Sequence, residues 1–368
     1  MPVEQGPFRA AACSGRAAPP LATSPHHVTI AAHLAVILGT AGAIALIQGS
    51  ASAHRSSISL IATLANPIDG YALNLDASGA VAFSPDGKTL AESSGDTSVY
   101  LWDVATSRRI AAVTDPGTGV FSLAWSPDRT TLAVVDFAGS TYLLHLPTGH
   151  QIATFSSPGE PGGPPSAAFS PDGETLATSD GNDNARLWNV ATRHLIATLT
   201  IPGGAGVMSV AFSPDGKTLA TADSNGTTYL WSVATVSRIA ALTHPGTPSL
   251  ESVAFSPDGK TLATGDQDGT AYLWNVATRH LIATLSDSAI LSDPISHSVA
   301  ALAFSPDAKT LAAGNSNGST YLWSVATARL VATLDTPGGY PVSSVAFSPN
   351  EDMLAIETSE DYATYLYR

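Results

Sequence analysis

The sequence is short of charged residues, of basic residues and of cysteine. Lys and Arg number 16 against 30 Asp and Glu in 368 residues, which gives a formal net charge of −14. A nucleic-acid-binding protein needs basic residues to neutralise phosphates, and docking on anionic lipid needs a basic face, so this balance argues against both. Cys13 is the only cysteine, which excludes an intrachain disulfide and a multi-cysteine metal cluster. The 44% of hydrophobic residues indicates a folding chain.

Sequence signatures of catalysis are also missing. The chain has no G-x-S-x-G elbow, H-E-x-x-H pair, phosphate-binding loop or dinucleotide fingerprint. The ten histidines are scattered, and His194 and His280 occupy equivalent positions of a repeated turn, which favours a structural role. The sequence therefore predicts neither an enzyme nor a cofactor or metal site.

The first 57 residues differ in composition from the rest. Residues 1–27 are rich in Ala, Pro and Ser without apolar periodicity, which predicts a disordered tail. Residues 28–47 carry no formal charge and are long enough for a transmembrane helix at about 1.5 Å per residue. We interpret them as an uncleaved signal anchor, followed by a linker of residues 48–57. The alternative is a cleaved signal peptide, with secretion after cleavage near Ala53.

The basic residues that flank this segment indicate its orientation. Arg9 and Arg16 precede the segment and Arg55 follows it. The excess of positive charge on the N-terminal side predicts a cytoplasmic tail and an extracytoplasmic remainder of the chain.

Residues 58–368 repeat one unit seven times. Each unit contains an aromatic-Ser-Pro-Asp tetrad, with Asn in the last place of the seventh copy, and the tetrad prolines fall at positions 85, 127, 171, 214, 257, 306 and 349. In the fifth unit, residues 252–255, 261–264, 271–276 and 281–285 read as four short strands separated by turns rich in Asp and Gly.

The number of strands predicts how the repeats assemble. The chain ends on the third strand of the seventh unit, and residues 58–64 match a fourth strand but precede the first unit. The sequence therefore predicts an all-β fold, a seven-bladed β-propeller closed by an N-terminal strand and preceded by a single transmembrane helix.

These units resemble the WD-repeat β-propeller family, in its bacterial form rich in FSPDG-x-x-L-A and L-W-x-V elements. The family's Trp-Asp pair survives only as Trp102-Asp103, and its Gly-His pair before the first strand is absent from all seven units. We therefore expect no Asp-His-Ser/Thr-Trp network, and cohesion between blades that rests on Trp and aliphatic packing. The resemblance implies a protein-interaction scaffold.

Acidic residues recur in the turns before each third strand and in two long links. Asp and Asn cap tight turns through their own side chains, which is one interpretation. The other is an acidic face that attracts a basic partner segment or cations. The links from Leu64 to Phe83 and from Leu285 to Phe304 exceed the link from Leu199 to Phe212, through either function or neutral drift. The candidate partner-binding residues are Asp69, Tyr71, Asp76, Asp96, Asp136, Asp223, Asp268, Asp293, His297 and Asp361.

The sequence as a whole predicts a membrane-anchored WD-repeat propeller that acts as a scaffold for protein–protein interaction. Its expected partners are basic proteins, with membrane contact through residues 28–47, no nucleic acid and no cofactor. A propeller enzyme or small-ligand binder that uses the central channel is the alternative, and a purely structural role is a third possibility.

Overall fold

The computed structural model describes residues 58–65, 79–93, 98–114, 119–146, 148–156, 165–179, 182–246, 248–286, 297–350, 352–361 and 363–368. The predicted tail (residues 1–27), transmembrane segment (residues 28–47) and linker (residues 48–57) lie outside the described residues, as do most residues of the two long links. No helix among the described residues has the length and hydropathy that a membrane crossing requires.

The described residues form 28 strands in seven four-stranded antiparallel sheets. The innermost strands are β2 (Val81–Phe83), β6 (Val120–Trp125), β10 (Ala167–Phe169), β14 (Val207–Phe212), β18 (Leu250–Phe255), β22 (Val299–Phe304) and β26 (Val342–Phe347). The second strands are β3 (Thr89–Ser93), β7 (Thr131–Asp136), β11 (Thr175–Ser179), β15 (Thr218–Asp223), β19 (Thr261–Asp266), β23 (Thr310–Asn315) and β27 (Leu354–Thr358). The third strands are β4 (Ser98–Asp103), β8 (Ser140–His145), β12 (Asn184–Asn189), β16 (Thr227–Ser232), β20 (Ala271–Asn275), β24 (Ser319–Ser324) and β28 (Ala363–Tyr367). The outermost strands are β5 (Arg108–Thr114), β9 (His150–Ser156), β13 (Leu195–Thr200), β17 (Ser237–Thr243), β21 (Leu281–Leu285), β25 (Arg329–Asp335) and β1 (Leu60–Ala65).

The seven sheets are the blades of a β-propeller, as the repeat predicts. We number them in chain order from blade 1, which consists of β2 to β5. Each innermost strand contacts the innermost strand of the next blade, and β26 of blade 7 contacts β2 of blade 1. The first strands therefore surround a central channel, and the fourth strands form the outer rim.

The hydrophobic core is divided among the seven contacts between neighbouring blades. Between blades 3 and 4, for example, Leu187 and Leu199 pack against Leu219 and Trp231. A corresponding cluster fills the contact between blades 7 and 1. Aromatic and aliphatic side chains thus bind each blade to the next, in agreement with the expected packing.

β1, the first of the described strands, lies in the same sheet as the last three. β1 pairs antiparallel with β28, with Leu60 opposite Tyr367 and Ala65 opposite Ala363. The side chain of Leu64 is 2% exposed and belongs to the cluster between blades 7 and 1. Blade 7 therefore combines residues from both ends of the propeller sequence.

Candidate functional site

The turns and links of every blade lie at two opposite ends of its strands. The turn between the first and second strands lies beside the turn between the third and fourth, and the backbone N–H of Val233 donates to the carbonyl of Lys217 there (3.0 Å). At the other end, the turn between the second and third strands lies beside the link to the next blade, where the N–H of His244 donates to the carbonyl of Gly226 (3.1 Å). The propeller therefore has two faces, each formed by its own set of turns or of turns and links.

Among the described residues of the propeller, exposed Lys and Arg occupy only one of these faces. We name the face of the first-to-second and third-to-fourth turns the arginine face, and its bases are Lys88, Arg108, Arg109, Arg129, Arg193, Lys217, Arg238, Lys260, Arg279, Lys309, Arg329 and Arg368. The carboxylates described on it are Asp86, Asp103, Asp128, Asp172, Glu174, Asp215, Asp258, Asp307 and Asp352. We name the opposite face the link face, and the carboxylates described on it are Asp136, Asp183, Asp223, Glu251, Asp266, Asp268, Asp335, Glu360 and Asp361. Arg186, within β12, is buried, so the described part of the link face presents no exposed Lys or Arg.

The Asp residues of the repeated tetrads are structural. The Ser84 hydroxyl donates to Asp86 (2.7 Å) and accepts from the backbone N–H of Thr89 (3.0 Å), which holds the turn closed. The Ser84 hydroxyl, the backbone N–H of Lys88 and the guanidinium of Arg129 lower the pKa of Asp86 to about 2. Corresponding Ser-to-Asp bonds occur in blades 2 to 6. These carboxylates are therefore occupied by their own turns.

Two candidate partner-binding residues of the link face are buried turn caps. Asp136 and Asp223 are each 1% exposed. Asp136 accepts from the backbone N–H of Ser140 (2.7 Å) and the hydroxyl of Tyr142 (3.1 Å). Asp223 accepts from the N–H of Thr227 (2.7 Å), and burial raises its pKa. Both carboxylates fit the turn-capping interpretation and do not reach the surface that a partner would touch.

The remaining described candidates lie nearer to the surface of the link face. Asp268 is exposed in the blade 5 turn, and Asp361 is half-buried in the blade 7 turn, where it accepts from the hydroxyls of Thr358 and Tyr365. His297 is half-buried at the end of a long link. The other candidates, Asp69, Tyr71, Asp76, Asp96 and Asp293, lie outside the described residues.

The central channel contains a cavity of about 240 Å³ lined by the first strands of all seven blades. Five blades have a serine three positions before the tetrad aromatic, in the first strand or directly before it, at Ser122, Ser166, Ser209, Ser252 and Ser344. Three of these hydroxyls accept from a backbone N–H of the next blade, as Ser344 does from Val81 (3.2 Å). The serine pattern therefore joins neighbouring blades, and the sequence analysis missed it.

The channel offers little acid–base chemistry. Glu251 is the one carboxylate among the described lining residues, and burial raises its pKa. Glu357, fully buried, lies behind Gly79, and a Cβ atom built on Gly79 would come within 1.3 Å of a Glu357 carboxylate oxygen. Burial raises the pKa of Glu357 well above its ordinary value, and the charges of Glu92 and Asp361 add to this. The described residues include no cluster of three His, Cys, Asp or Glu placed to hold a metal ion.

Comparison with known families decides what this ring is. The WD40 family, described as the WD domain, G-beta repeat, matches residues 77–103, 148–189, 194–232, 237–275 and 288–324. The chain belongs to the WD40 repeat family. The family match does not include the first three strands of the second and seventh blades. Both blades nevertheless form four-stranded sheets like the others. Comparison with curated proteins gives no match.

The Asp-His-Ser/Thr-Trp network, which we expected to be absent, forms in part in blade 5, where His, Thr and Trp side chains connect and a backbone carbonyl takes the place of the Asp. In blade 5 the indole N–H of Trp274 donates to Thr264 (3.2 Å), and the Nε2 of His244 lies 2.6 Å from the same hydroxyl. The Nδ1 of His244 lies 3.0 Å from the carbonyl of Gly226, so a neutral ring with its proton on Nδ1 satisfies the whole chain. The sequence analysis required a Gly-His pair, whereas His244 follows Thr243 and still contacts the Thr264 hydroxyl.

The hydrogen bond from Trp to Thr within a blade does not require a histidine at the position of His244. Ile201 precedes blade 4 in the same place, 1% exposed, and there Trp231 donates to Thr221 (3.0 Å) without a histidine. Burial lowers the pKa of His244 to about 4, so the ring is neutral at physiological pH. His244 therefore belongs to the packing between blades and is not a catalytic base.

Proposed function

We propose that this WD40 propeller is a membrane-anchored scaffold whose link face binds a basic segment of a partner protein. The observation that carries the proposal is the separation of charge: the described link face has exposed carboxylates and no exposed Lys or Arg. A surface of one sign gives rapid, oriented capture of an oppositely charged partner. WD40 propellers commonly serve as protein-interaction scaffolds, which agrees with this role.

The proposed anchor is residues 28–47, with the propeller on the extracytoplasmic side. The charge-free stretch of twenty residues and the Arg9 and Arg16 that precede it support this topology. Secretion after cleavage near Ala53 is the alternative. A reporter at the C-terminus that is active only outside the cytoplasm should be active, and a reporter that functions only in the cytoplasm should be silent.

We also propose that pairing of β1 with β28 closes the ring. Closure would cover the outer edge of β28, which otherwise exposes unpaired backbone groups. The buried Leu64 and the reciprocal bonds between the backbones of Ser59 and Arg368 (2.8 and 3.0 Å) support this role.

The alternative function, an enzyme or small-ligand binder in the channel, receives less support. The cavity of about 240 Å³ is smaller than most small-molecule pockets, which span roughly 300–1,000 Å³. Its described lining has serine hydroxyls already engaged between blades and one carboxylate, Glu251.

Partner binding is tested by pull-down from native membranes with the intact chain as bait. The link-face variant carries Asp268→Asn and Glu360→Gln, both at exposed positions. The matched control carries Asp352→Asn and Glu174→Gln, which make the same chemical changes at exposed positions of the arginine face. The link-face variant should lose a salt-sensitive partner that the control retains. Equal recovery by the two variants would refute the link face as the binding surface.

A further inference from the structure

The arginine face carries a second feature beside its charge, a rim of exposed aliphatic side chains. The fourth strand of a blade begins next to this face, and large apolar residues stand at its first positions. Val331 is 62% exposed, Ile110 is 58% exposed and Ile282 is 52% exposed. Leu195, Ile239 and Leu60 are exposed at the start of three further outer strands. Large exposed apolar patches bordered by polar residues mark contacts with a membrane or a partner, and these aliphatic residues recur in blade after blade along one rim.

Arginines adjoin these aliphatic residues directly. Arg193, Arg279 and Arg329 stand one or two positions before the exposed pairs that begin at Leu195, Leu281 and Leu330. All three arginine side chains are exposed, and no described carboxylate lies within ion-pair distance of them. Three of the four lysines of the same face differ, because Lys217, Lys260 and Lys309 each pair with an Asp of their own turn. The uncompensated positive charge is therefore concentrated beside the aliphatic rim.

The chain enters the propeller on this same face. Residue 58 leads into the start of β1, where the backbone N–H of Ser59 donates to the carbonyl of Arg368 (2.8 Å). Residues 48–57 separate this point from the apolar residues 28–47, and ten extended residues span at most about 35 Å. An anchor at residues 28–47 would keep the point of entry on the arginine face within about 35 Å of the end of the apolar segment.

We propose that the arginine face docks on the surface of an anionic lipid bilayer, with its arginines at the headgroups and the adjoining aliphatic rim in the interface. This rests on the proposed membrane anchor only for proximity. Docking of this kind gains from buried apolar area and from attraction of Lys and Arg to acidic lipids together. The occupant follows from charge complementarity with acidic headgroups, taken together with the entry of the chain from residues 28–57 on this same face.

On the arginine face twelve bases outnumber the nine described carboxylates, and the carboxylates of the link face are too distant to oppose this docking. The exposed link-face carboxylates stand at the far ends of strands of about six residues, roughly 20 Å from the arginine face. The Debye length at physiological salt is about 8 Å, so their repulsion of the bilayer is largely screened. The net charge of −14 therefore misleads when it is read as a property of every surface.

The test places one fluorophore on each face of blade 4 in the full-length chain. Cys13→Ser removes the native thiol, and Ala234→Cys or Asn225→Cys supplies a single exposed site on the arginine face or the link face. Each protein is reconstituted in vesicles of phosphatidylcholine, with or without phosphatidylglycerol, that contain a lipid-bound quencher. The label at position 234 should be quenched when phosphatidylglycerol is present and released by added salt, and the label at position 225 should not be quenched.

A charge variant checks the proposed contact. Replacing Arg193, Arg279 and Arg329 by Gln should weaken docking about a hundredfold, at about fivefold for each arginine. Neutralising Asp268 and Glu360 on the link face should leave the quenching unchanged. Equal quenching at positions 234 and 225, or none at position 234 on phosphatidylglycerol vesicles, would overturn the inference.

Alkaline extraction distinguishes this inference from the proposed anchor. A chain that resists extraction while position 234 stays unquenched keeps the anchor and overturns the docking. A chain that is extracted, but whose label at position 234 is quenched when it is added to phosphatidylglycerol vesicles, refutes the anchor and supports the docking.

Discussion

Protonation of His244 should destabilise the propeller at mildly acidic pH. The ring is 2% exposed, and its Nε2 accepts a hydrogen bond from the Thr264 hydroxyl. A proton on Nε2 would point at this hydroxyl oxygen, which already accepts from the Trp274 indole N–H. Burial lowers the pKa of His244 from 6.5 to about 4. Between these values the unfolded chain binds a proton that the folded chain refuses, and the free energy of unfolding therefore falls as the pH falls from 6.5 towards 4.

The size of this effect follows from the shift. The full difference corresponds to about 3 kcal/mol, and about 2 kcal/mol of it should be lost by pH 5. Buried acids such as Glu357, whose pKa values are raised, act in the opposite direction, so the measurement must isolate the histidine.

His244→Ile isolates the histidine contribution because blade 4 carries Ile201 in the equivalent position. Urea unfolding of the intact chain and of this variant at pH 7.5 and pH 5 gives the difference directly. The intact chain should lose about 2 kcal/mol more than the variant between the two pH values. An equal loss in both proteins would refute the assignment of a buried, neutral His244.

Three further perturbations test other parts of the structure. Leu64→Ala should lower the free energy of unfolding by about 2–5 kcal/mol, because it empties a buried site where β1 meets β28. Leu60→Ala, at a 43% exposed position of the same strand, should lower it much less. Similar melting temperatures of the two variants would contradict closure by β1. Deletion of residues 58–64 should lower the melting temperature further, and an unchanged value would refute the same proposal. Gly79→Ala should strongly destabilise the chain, because its Cβ would lie 1.3 Å from the Glu357 carboxylate. The same substitution should cost little in a Glu357→Ala background, which a double-mutant cycle in thermal unfolding measures. Additive effects of the two substitutions would contradict this contact.

The repeat made the fold predictable from the sequence. The spacing of the tetrads, the alternation within each unit and the count of third strands were enough to predict seven four-stranded blades, which the structure confirms. This succeeded because each blade is a local meander, and its register is set by short turns whose chemistry is visible in Ser84, Pro85 and Asp86.

The site was harder to predict because burial depends on packing between blades. Asp136 ends the second strand β7 and is a buried cap, whereas Asp268 lies in the turn after β19 and is exposed. The buried Asp136, Asp223 and Asp266 occupy one position of the repeat and Asp268 stands two positions further on, so the two cases separate only when the turns are aligned position by position. His244 was missed because the search required a preceding glycine, although its place in the link, where Ile201 also occurs, is set by the register of the strands. The charge separation could have been predicted from the sequence. Arginines recur in the third-to-fourth turns, and assigning each turn to one of the two faces places them all on the same face.

Photocross-linking from the two faces of blade 4 tests the central claim most directly. A photoreactive amino acid replaces Asn225 on the link face or Ala234 on the arginine face of the intact chain in native membranes. If the link face is the docking surface, position 225 will capture a defined protein partner, high salt will abolish the capture, and position 234 will not yield that product. Absence of a protein adduct at position 225, or the same adducts from both positions, would contradict the account.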